Sequence, residues 1–416
     1  MSEPKSLFDL PARPVQAATS SGAGKLDVVG VVGAGAMGAG IAQVAASHGH
    51  VVVIADAQES AIVRSRASHE KAAARDVEKG RMTRADADAM LARFTYIEGV
   101  GPSDLAAFSR CGFVIEAIVE QLAPKQTLLR ELEAIIPAGA VLASNTSSLS
   151  IAALGGSCMH GERMLGVHFF NPAPVMPLVE IVPSIITAPF VTQYARNLVT
   201  SWRKTTVLAA DTPGFLVNRV ARPFYGEALR IREEGVADAA TIDWAMRELG
   251  GFRMGPFELM DFIGHDVNFA VTRSVFEATY GDPRYRPSIA QQRLVEAGFL
   301  GQKSGRGFFD YQDGTSKPEA SRDPAVGQAV FDRIIAMLVN EAVDAVQLGI
   351  AAPADIELAM TTGVNYPKGL LAWGDEIGAR EILSRLDALQ QVYGDDRYRA
   401  SVRLRRAVAS GQSLLT

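Results

Sequence analysis

A parallel α/β half followed by an all-α half present in two tandem copies is the architecture this sequence predicts, and three observations carry it. Short β-branched runs alternate with longer helix-compatible segments up to about residue 210, the β-type runs then stop, and the second half contains a faint internal repeat at a constant offset of 114. Strands separated by helices give a parallel sheet with helices on both faces. In chain order the strands are VVGVV at 28–32, VVVIA at 51–55, FVIEA at 113–117 and VLAS at 141–144, then 164–169, 178–182 and 205–209. Residues 60–93 carry helix formers without a strand pattern, which predicts a helical excursion from the sheet. The α/β domain is expected over 26–210. The turn Asp211-Thr212-Pro213-Gly214 opens a first helical copy at 211–312, and a polar linker near 313–323 leads to a second copy at 325–410. At the offset, Arg219, Glu227, Asp261 and Gly264 meet Arg333, Glu341, Asp375 and Gly378.

Composition narrows the function classes. With 41 Lys and Arg against 46 Asp and Glu, the net charge of −5 over 416 residues sets up no field that draws nucleic acid or an anionic membrane. The basic cluster Arg397 to Arg406 reads as a solvated helix face. Cys111 and Cys158 are too few for a disulfide framework or a four-cysteine zinc site, so no metal is expected. The start MSEPKSLFDL has acidic residues where a signal peptide needs an apolar core, which makes a reducing cytoplasm the expected compartment. Residues 1–25, rich in Pro, Ser, Ala and Gly, read as a flexible tail. Val28 to Ser47 carries no charge, but its glycines and Gln43 make it a strand, a turn and a helix instead of a membrane span.

The turn in that stretch is Gly33-Ala34-Gly35-Ala36-Met37-Gly38, and Asp56 ends the next strand. Gly33 makes the tight turn, Gly35 admits a pyrophosphate to the backbone, Gly38 lets the helix pack on the strand, and the helix N-terminus stabilises the phosphate charge. Asp56 would accept hydrogen bonds from the ribose hydroxyls and repel a 2′-phosphate, favouring NAD over NADP. This is a Rossmann-type NAD-binding signature.

Further motifs widen the match: EAIVE at 116–120 with Lys125, SNTSSLSI at 144–151, GVHFFNPAPVMPLVEIV at 166–182, DTPGFLVNR at 211–219 and GPFELMDFIG at 255–264. Together with GAGAMG they resemble the 3-hydroxyacyl-CoA dehydrogenase family from about Lys25 to Tyr311, with a second copy of the helical domain over 325–390. The resemblance implies NAD-dependent oxidation of an acyl-CoA thioester, with the catalytic His and Glu at His168 and Glu180 and substrate contacts at Ser147 and Asn218. It places cofactor contacts at Asp56, Glu120, Lys125, Asn145, Asn171 and Lys303, in addition to Gly33, Gly35, Met37 and Gly38 of the turn. Lys79 matches a CoA contact, whereas Ala72 stands where the family has a hydroxyl. Chains with a doubled helical domain resemble the members acting on 3-hydroxyadipyl-CoA and 3-hydroxybutyryl-CoA, so a short-chain or dicarboxylic acyl group is expected.

The residues themselves point the same way. Taking a hydride from a secondary alcohol requires a base for the hydroxyl proton, and histidine titrates near neutrality. His168 ends the apolar run MLGVHFF, where a lone histidine is more often a satisfied core residue, and Glu180 sits in the apolar strand LVEIV. Pairing them satisfies both, since a buried acid without a partner is costly. Ser147 follows a strand, at the sheet edge where ligands bind, with Ser148 or Ser150 available to cap the next helix. Asn218 lies four residues past Pro213-Gly214, placed to donate to a thioester carbonyl or alkoxide. Arg253, in GFRMGPFELM, is a candidate cation for a distal carboxylate, set against a surface arginine closing a turn. Two other readings are a β-hydroxyacid-type NAD(P) dehydrogenase and a non-catalytic NAD-binding Rossmann protein. The first calls for a catalytic lysine, which residues 214–234 lack. At the 114 offset Asn218 meets Asp332, so the second copy is expected to be structural, pairing with the first through Leu338, Val339, Val343 and Val346, in a chain that is a monomer or a homodimer.

Overall fold

Each β-branched run becomes a strand of one eight-stranded sheet in the order β3-β2-β1-β4-β5-β6-β7-β8. The computed structural model describes residues 28–416, so the tail expected over 1–25 lies outside the described residues. The strands are β1 Val28–Val32, β2 Val52–Asp56, β3 Phe94–Glu98, β4 Cys111–Glu116, β5 Val141–Ser144, β6 Met164–Phe169, β7 Leu178–Pro183 and β8 Thr205–Leu208. Two features differ from the sequence reading. β3 was not expected; it follows the helical excursion Glu59–Glu78 and Arg84–Leu91 and closes one edge of the sheet beside β2. β7 runs antiparallel to β6, because the segment between Phe169 and Leu178 is too short for the crossover that parallel neighbours need. Apolar residues of the strands, among them Val29, Val31, Ile54, Phe113 and Ile115, pack on Ile41 and Ala45 of the helix Ala36–Ser47 to form the core.

The described chain divides into two units after Asp211. The second is helical throughout and contains both copies of the repeat. Its centre is the helix Pro324–Gln347, capped by the Asp323 carboxylate and buried along most of its length. This helix packs on Arg222–Glu233 and Ala239–Glu248 of the first copy. Leu338, Val339 and Val343 are fully buried there, and Val346 is half-buried. The copies are therefore layers of one core.

Two reciprocal ion clusters tie the layers. Glu341 of the second copy accepts from Arg219 Nε at 2.8 Å, Arg284 Nη1 at 3.3 Å and the Tyr285 hydroxyl. Glu227 of the first copy accepts from Arg333 Nε at 3.0 Å, Arg397 Nη1 at 2.7 Å and the Tyr398 hydroxyl at 3.1 Å. The arrangement is twofold in kind, each copy's glutamate held by the other's arginines and tyrosine. Arg397, read from the sequence as the start of a solvated face, is instead buried in this cluster. The signal was present: YGDPRYR at 280–286 repeats as YGDDRYR at 393–399, at an offset of 113 that a constant offset of 114 conceals. Among the described residues no helix is long and apolar enough to cross a membrane.

Candidate active site

The glycine turn follows from how tightly the helix Ala36–Ser47 returns onto the sheet. Gly33 adopts φ +104°, a conformation that side chains rarely take, and a Cβ on Gly38 would lie 1.7 Å from the Gly33 carbonyl oxygen. Over Gly35 a Cβ would meet nothing within 4 Å, so there is open space above the backbone at the helix N-terminus. Asp56 is held beside it: Oδ2 accepts from the Ala34 amide at 2.7 Å and Oδ1 from the Gln58 amide at 2.8 Å. A cavity of about 950 Å³ lies here, lined by Gly33, Gly35, Met37, Asp56, Ile118 and Thr127 among others. An open anion site at a helix N-terminus with a fixed carboxylate alongside fits the pyrophosphate and ribose of NAD.

At the carboxyl end of β4, a buried chain of charges supports the loop after β5. Lys125 Nζ donates to both Glu116 oxygens at 2.8 Å and lies 3.3 Å from Glu120 Oε2. Glu120 accepts from Thr146 Oγ1 at 2.6 Å, the Ser147 amide at 3.0 Å and Ser148 Oγ at 2.9 Å. Burial pushes the Glu120 carboxyl upward, but the Lys125 ammonium and these hydrogen bonds outweigh it and hold the group below the usual carboxylate range. Glu120 thus remains an ionised acceptor at neutral pH. Lys125, grouped with the cofactor contacts by resemblance, lies buried behind this carboxylate, and Glu116 beneath it is a residue the sequence reading did not single out. The far end of the loop is pinned by Asp211, which accepts from the Ile151 and Ala152 amides at 2.9 and 2.7 Å, while Ser150 takes the helix cap. Ser147 lies between the two anchors. Asn145 Oδ1 accepts from the Phe169 amide at 2.8 Å, tying this loop to the strand that carries His168.

His168 and Glu180 are direct cross-strand partners in the β6–β7 ladder. Opposed residues of an antiparallel pair project to the same face, and here His168 Nδ1 lies 2.6 Å from Glu180 Oε2. Glu180 is fully buried and His168 nearly so, at 6% exposure. A carboxylate on Nδ1 orients the ring, makes Nε2 the nitrogen for proton transfer and stabilises the imidazolium once it forms. The antiparallel β6–β7 turn is thus what assembles the pair.

A second groove, about 570 Å³, runs between the helices Ala36–Ser47 and Glu59–Glu78 and the segment after β6, lined by Gly35, Arg64, Lys71, Ala72, Arg75 and Asn171 among others. Lys79, at the exposed end of the second helix, follows Lys71 and Arg75 at i+4 steps, so the three cations form one stripe. Sequence reasoning named only Lys79, although the spacing was readable.

In the helical unit, Asn218 is half-buried, and its carbonyl accepts from Arg222 Nε at 2.7 Å. Lys303 Nζ donates to Asp266 Oδ2 at 2.8 Å. Its loop is anchored by the buried Asp261, which accepts from the Phe308 and Phe309 amides at 2.9 Å and the Tyr311 hydroxyl at 3.0 Å. Arg253 is exposed, with no hydrogen bond or ion pair among the described residues.

Comparison with known proteins covers both halves. The family model described as the 3-hydroxyacyl-CoA dehydrogenase NAD binding domain matches residues 28–212. The C-terminal domain of the same family matches 214–311 and again 330–413. The chain is 38% identical to the 3-hydroxyadipyl-CoA dehydrogenase of Escherichia coli K12, over 92% of its own length and 97% of the relative's. It is 36% identical to the mitochondrial hydroxyacyl-coenzyme A dehydrogenase of Sus scrofa, over 68% of its length and 91% of that protein. A crystal structure of 3-hydroxybutyryl-CoA dehydrogenase from E. coli K12 superposes with a TM-score of 0.85 at 37% identity, covering 93% of this chain and 99% of that one. Matched in its NAD-binding domain and in both copies of its helical domain, the chain belongs to the 3-hydroxyacyl-CoA dehydrogenase family.

Proposed function

We propose that this chain oxidises (S)-3-hydroxyacyl-CoA to 3-oxoacyl-CoA, with His168 as general base oriented by Glu180. Bound NAD supplies the hydride acceptor. His168 Nε2 takes the hydroxyl proton as the C3–H bond breaks and the 3-oxo group forms, and Glu180 stabilises the resulting imidazolium. Ser147 contacts the substrate oxygen from the loop fixed by Glu120 and Asp211, and Asn218 donates to the thioester carbonyl. Gly33, Gly35, Met37, Gly38 and Asp56 hold the adenosine half of the cofactor, with Glu120, Asn145, Asn171 and Lys303 completing its contacts. Lys79, with Lys71 and Arg75, meets the CoA phosphates.

The observation that carries this reading is the 2.6 Å contact between His168 and Glu180, made by strand register. A buried carboxylate on the far nitrogen of a histidine gives a base and an orienting group, which a purely structural NAD-binding protein has no use for. The acyl group is short-chain or dicarboxylic, the compartment is the cytoplasm, and the two helical copies pair within one chain, which acts as a monomer or homodimer. Steady-state turnover of acetoacetyl-CoA, 3-oxoadipyl-CoA and a long-chain 3-oxoacyl-CoA with NADH tests the reading. Highest kcat/KM is expected on one of the first two, and absence of turnover on all three removes it.

A further inference from the structure

Buried arginines in the helical unit come in symmetric sets, with one exception. Arg219 and Arg333 are counterparts in the repeat, as are Arg284 and Arg397, and each is paired with Glu227 or Glu341. Arg222 is equally buried, at 6% exposure, but its counterpart at the 114 offset is Ala336. No carboxylate lies within ion-pair distance of it among the described residues. Its contacts are neutral: Nε donates to the Asn218 carbonyl at 2.7 Å, Nη1 to Thr272 Oγ1 at 3.1 Å, and the guanidinium lies over the Tyr225 ring, 4.8 Å from its centroid. Nη2 makes no hydrogen bond among the described residues and, unlike the atoms sealed from solvent without a partner, is not fully buried.

A second polar group at the same place is also unsatisfied. Tyr366, from the second copy, packs on Phe224, whose ring also meets the Tyr225 ring that lies under Arg222, and its hydroxyl is fully buried without a hydrogen-bond partner. Its counterpart at the 114 offset is Phe252, so the hydroxyl, like the guanidinium, occurs on one side of the pseudo-twofold only. Burial of a permanently charged guanidinium without a counter-ion is costly, and so is burial of an unpaired hydroxyl. Burial pushes the Arg222 guanidinium below its usual range, the direction expected for a cation short of an anion.

We infer that Arg222, with the Tyr366 hydroxyl, binds the distal carboxylate of a dicarboxylic 3-hydroxyacyl-CoA. The inference rests on the proposed thioester chemistry and names its substrate class. Arg222 opens the helix Arg222–Glu233 four residues beyond Asn218, which lies in the short helix Val217–Val220, and its Nε reaches back to the Asn218 carbonyl, so a group held at Asn218 by its thioester carbonyl has the guanidinium beside it. An arriving carboxylate would take a charge-assisted hydrogen bond from Nη2 and a further one from Tyr366, satisfying both orphans. The second copy thus contributes a group to substrate recognition, beyond the structural part expected of it from the sequence.

The test compares 3-oxoadipyl-CoA with 3-oxohexanoyl-CoA, which has the same length and a methyl terminus, in the full-length chain carrying Arg222→Met, Tyr366→Phe or Arg253→Met. Arg222→Met is expected to lower the ratio of kcat/KM for the diacid over the monoacid by on the order of 10², and Tyr366→Phe by roughly tenfold or less. Equilibrium binding of adipyl-CoA against hexanoyl-CoA, neither of which can react, should show the same loss of preference. Thermal melting establishes that each variant is folded, and Tyr366→Phe, which removes one oxygen, decides the matter if Arg222→Met does not fold. An unchanged ratio in folded Arg222→Met, or a fall confined to Arg253→Met, overturns the assignment. Turnover of neither thioester by the unaltered chain would instead overturn the dehydrogenase reading, so the two failures are distinguishable.

Discussion

His168 and Glu180 show how little a residue means apart from its partner: each is a poor fit to an apolar strand, and the cross-strand contact satisfies both. His168→Ala is expected to lower kcat by a factor on the order of 10² to 10⁴ while NAD still binds, as followed by nicotinamide turnover and by fluorescence titration with NADH. Glu180→Gln should cost less, and the double variant little more than His168→Ala alone, since the two act as a unit; full additivity would separate their roles. Asp56 belongs to the same scale. Its carboxylate is fixed by two amides, and Arg64 lines the same cavity. Asp56→Ala should therefore weaken NAD and admit NADP with Arg64 as the available cation, and kinetics showing equal use of both cofactors before the substitution would exclude the role given to Asp56.

At the level of elements, the informative units are loops and helix faces that present several groups at once. The loop after β5 is held at one end by Glu120 and at the other by Asp211, which leaves Ser147 little freedom. The lowered Glu120 carboxyl fixes the sign of its pH dependence: its stabilising contribution is complete above the unfolded carboxyl range and is lost only as pH falls through the lower folded value. The loop should stay ordered at mildly acidic pH, and amide exchange at Ser147 that accelerates between pH 7 and 6 would contradict this. The stripe Lys71, Arg75 and Lys79 on the helix Glu59–Glu78 gives a separate prediction. Arg75→Ala should raise KM for acetoacetyl-CoA severalfold, less so at high salt, and leave the pantetheine thioester unaffected because it lacks the terminal phosphates. Equal effects on both thioesters would mean the stripe does not read phosphate.

For the whole molecule, the helical repeat sets the terms of stability. Glu227 and Glu341 are each 1% exposed and each takes three donors from the other copy. Breaking such a buried pair by removing one partner costs about 3–5 kcal/mol, so Glu341→Ala should lower the stability of the helical unit by that order in denaturant unfolding. The two clusters are reciprocal, so a chain ending at Asp323 would present Arg219, Glu227, Arg284 and Tyr285 as a self-complementary surface. We expect that truncated chain to dimerise or aggregate, with light scattering as the measurement. A monomer as stable as the full chain would show that the second copy is no substitute for a subunit.

Much of this molecule was legible from local pattern. Seven of the eight strands, the glycine turn and the capping serine follow from short-range periodicity and turn chemistry, which act over a few residues and leave a signature in order, whereas the repeat shows as identities at a long offset. GAGAMG with the acid ending the next strand, and GVHFFNPAPVMPLVEIV, mark Asp56, His168 and Glu180 within the sequence itself. What tertiary structure decided is what depends on charges meeting across long separations in sequence. Nothing in FVIEA says that Glu116 will anchor Lys125, and a basic run such as Arg397 to Arg406 looks solvated until Glu227 arrives 170 residues away to bury its first member. The same holds in reverse for Arg222: only a folded interior shows a cation left without an anion, because the absence of a partner is a property of everything packed around it.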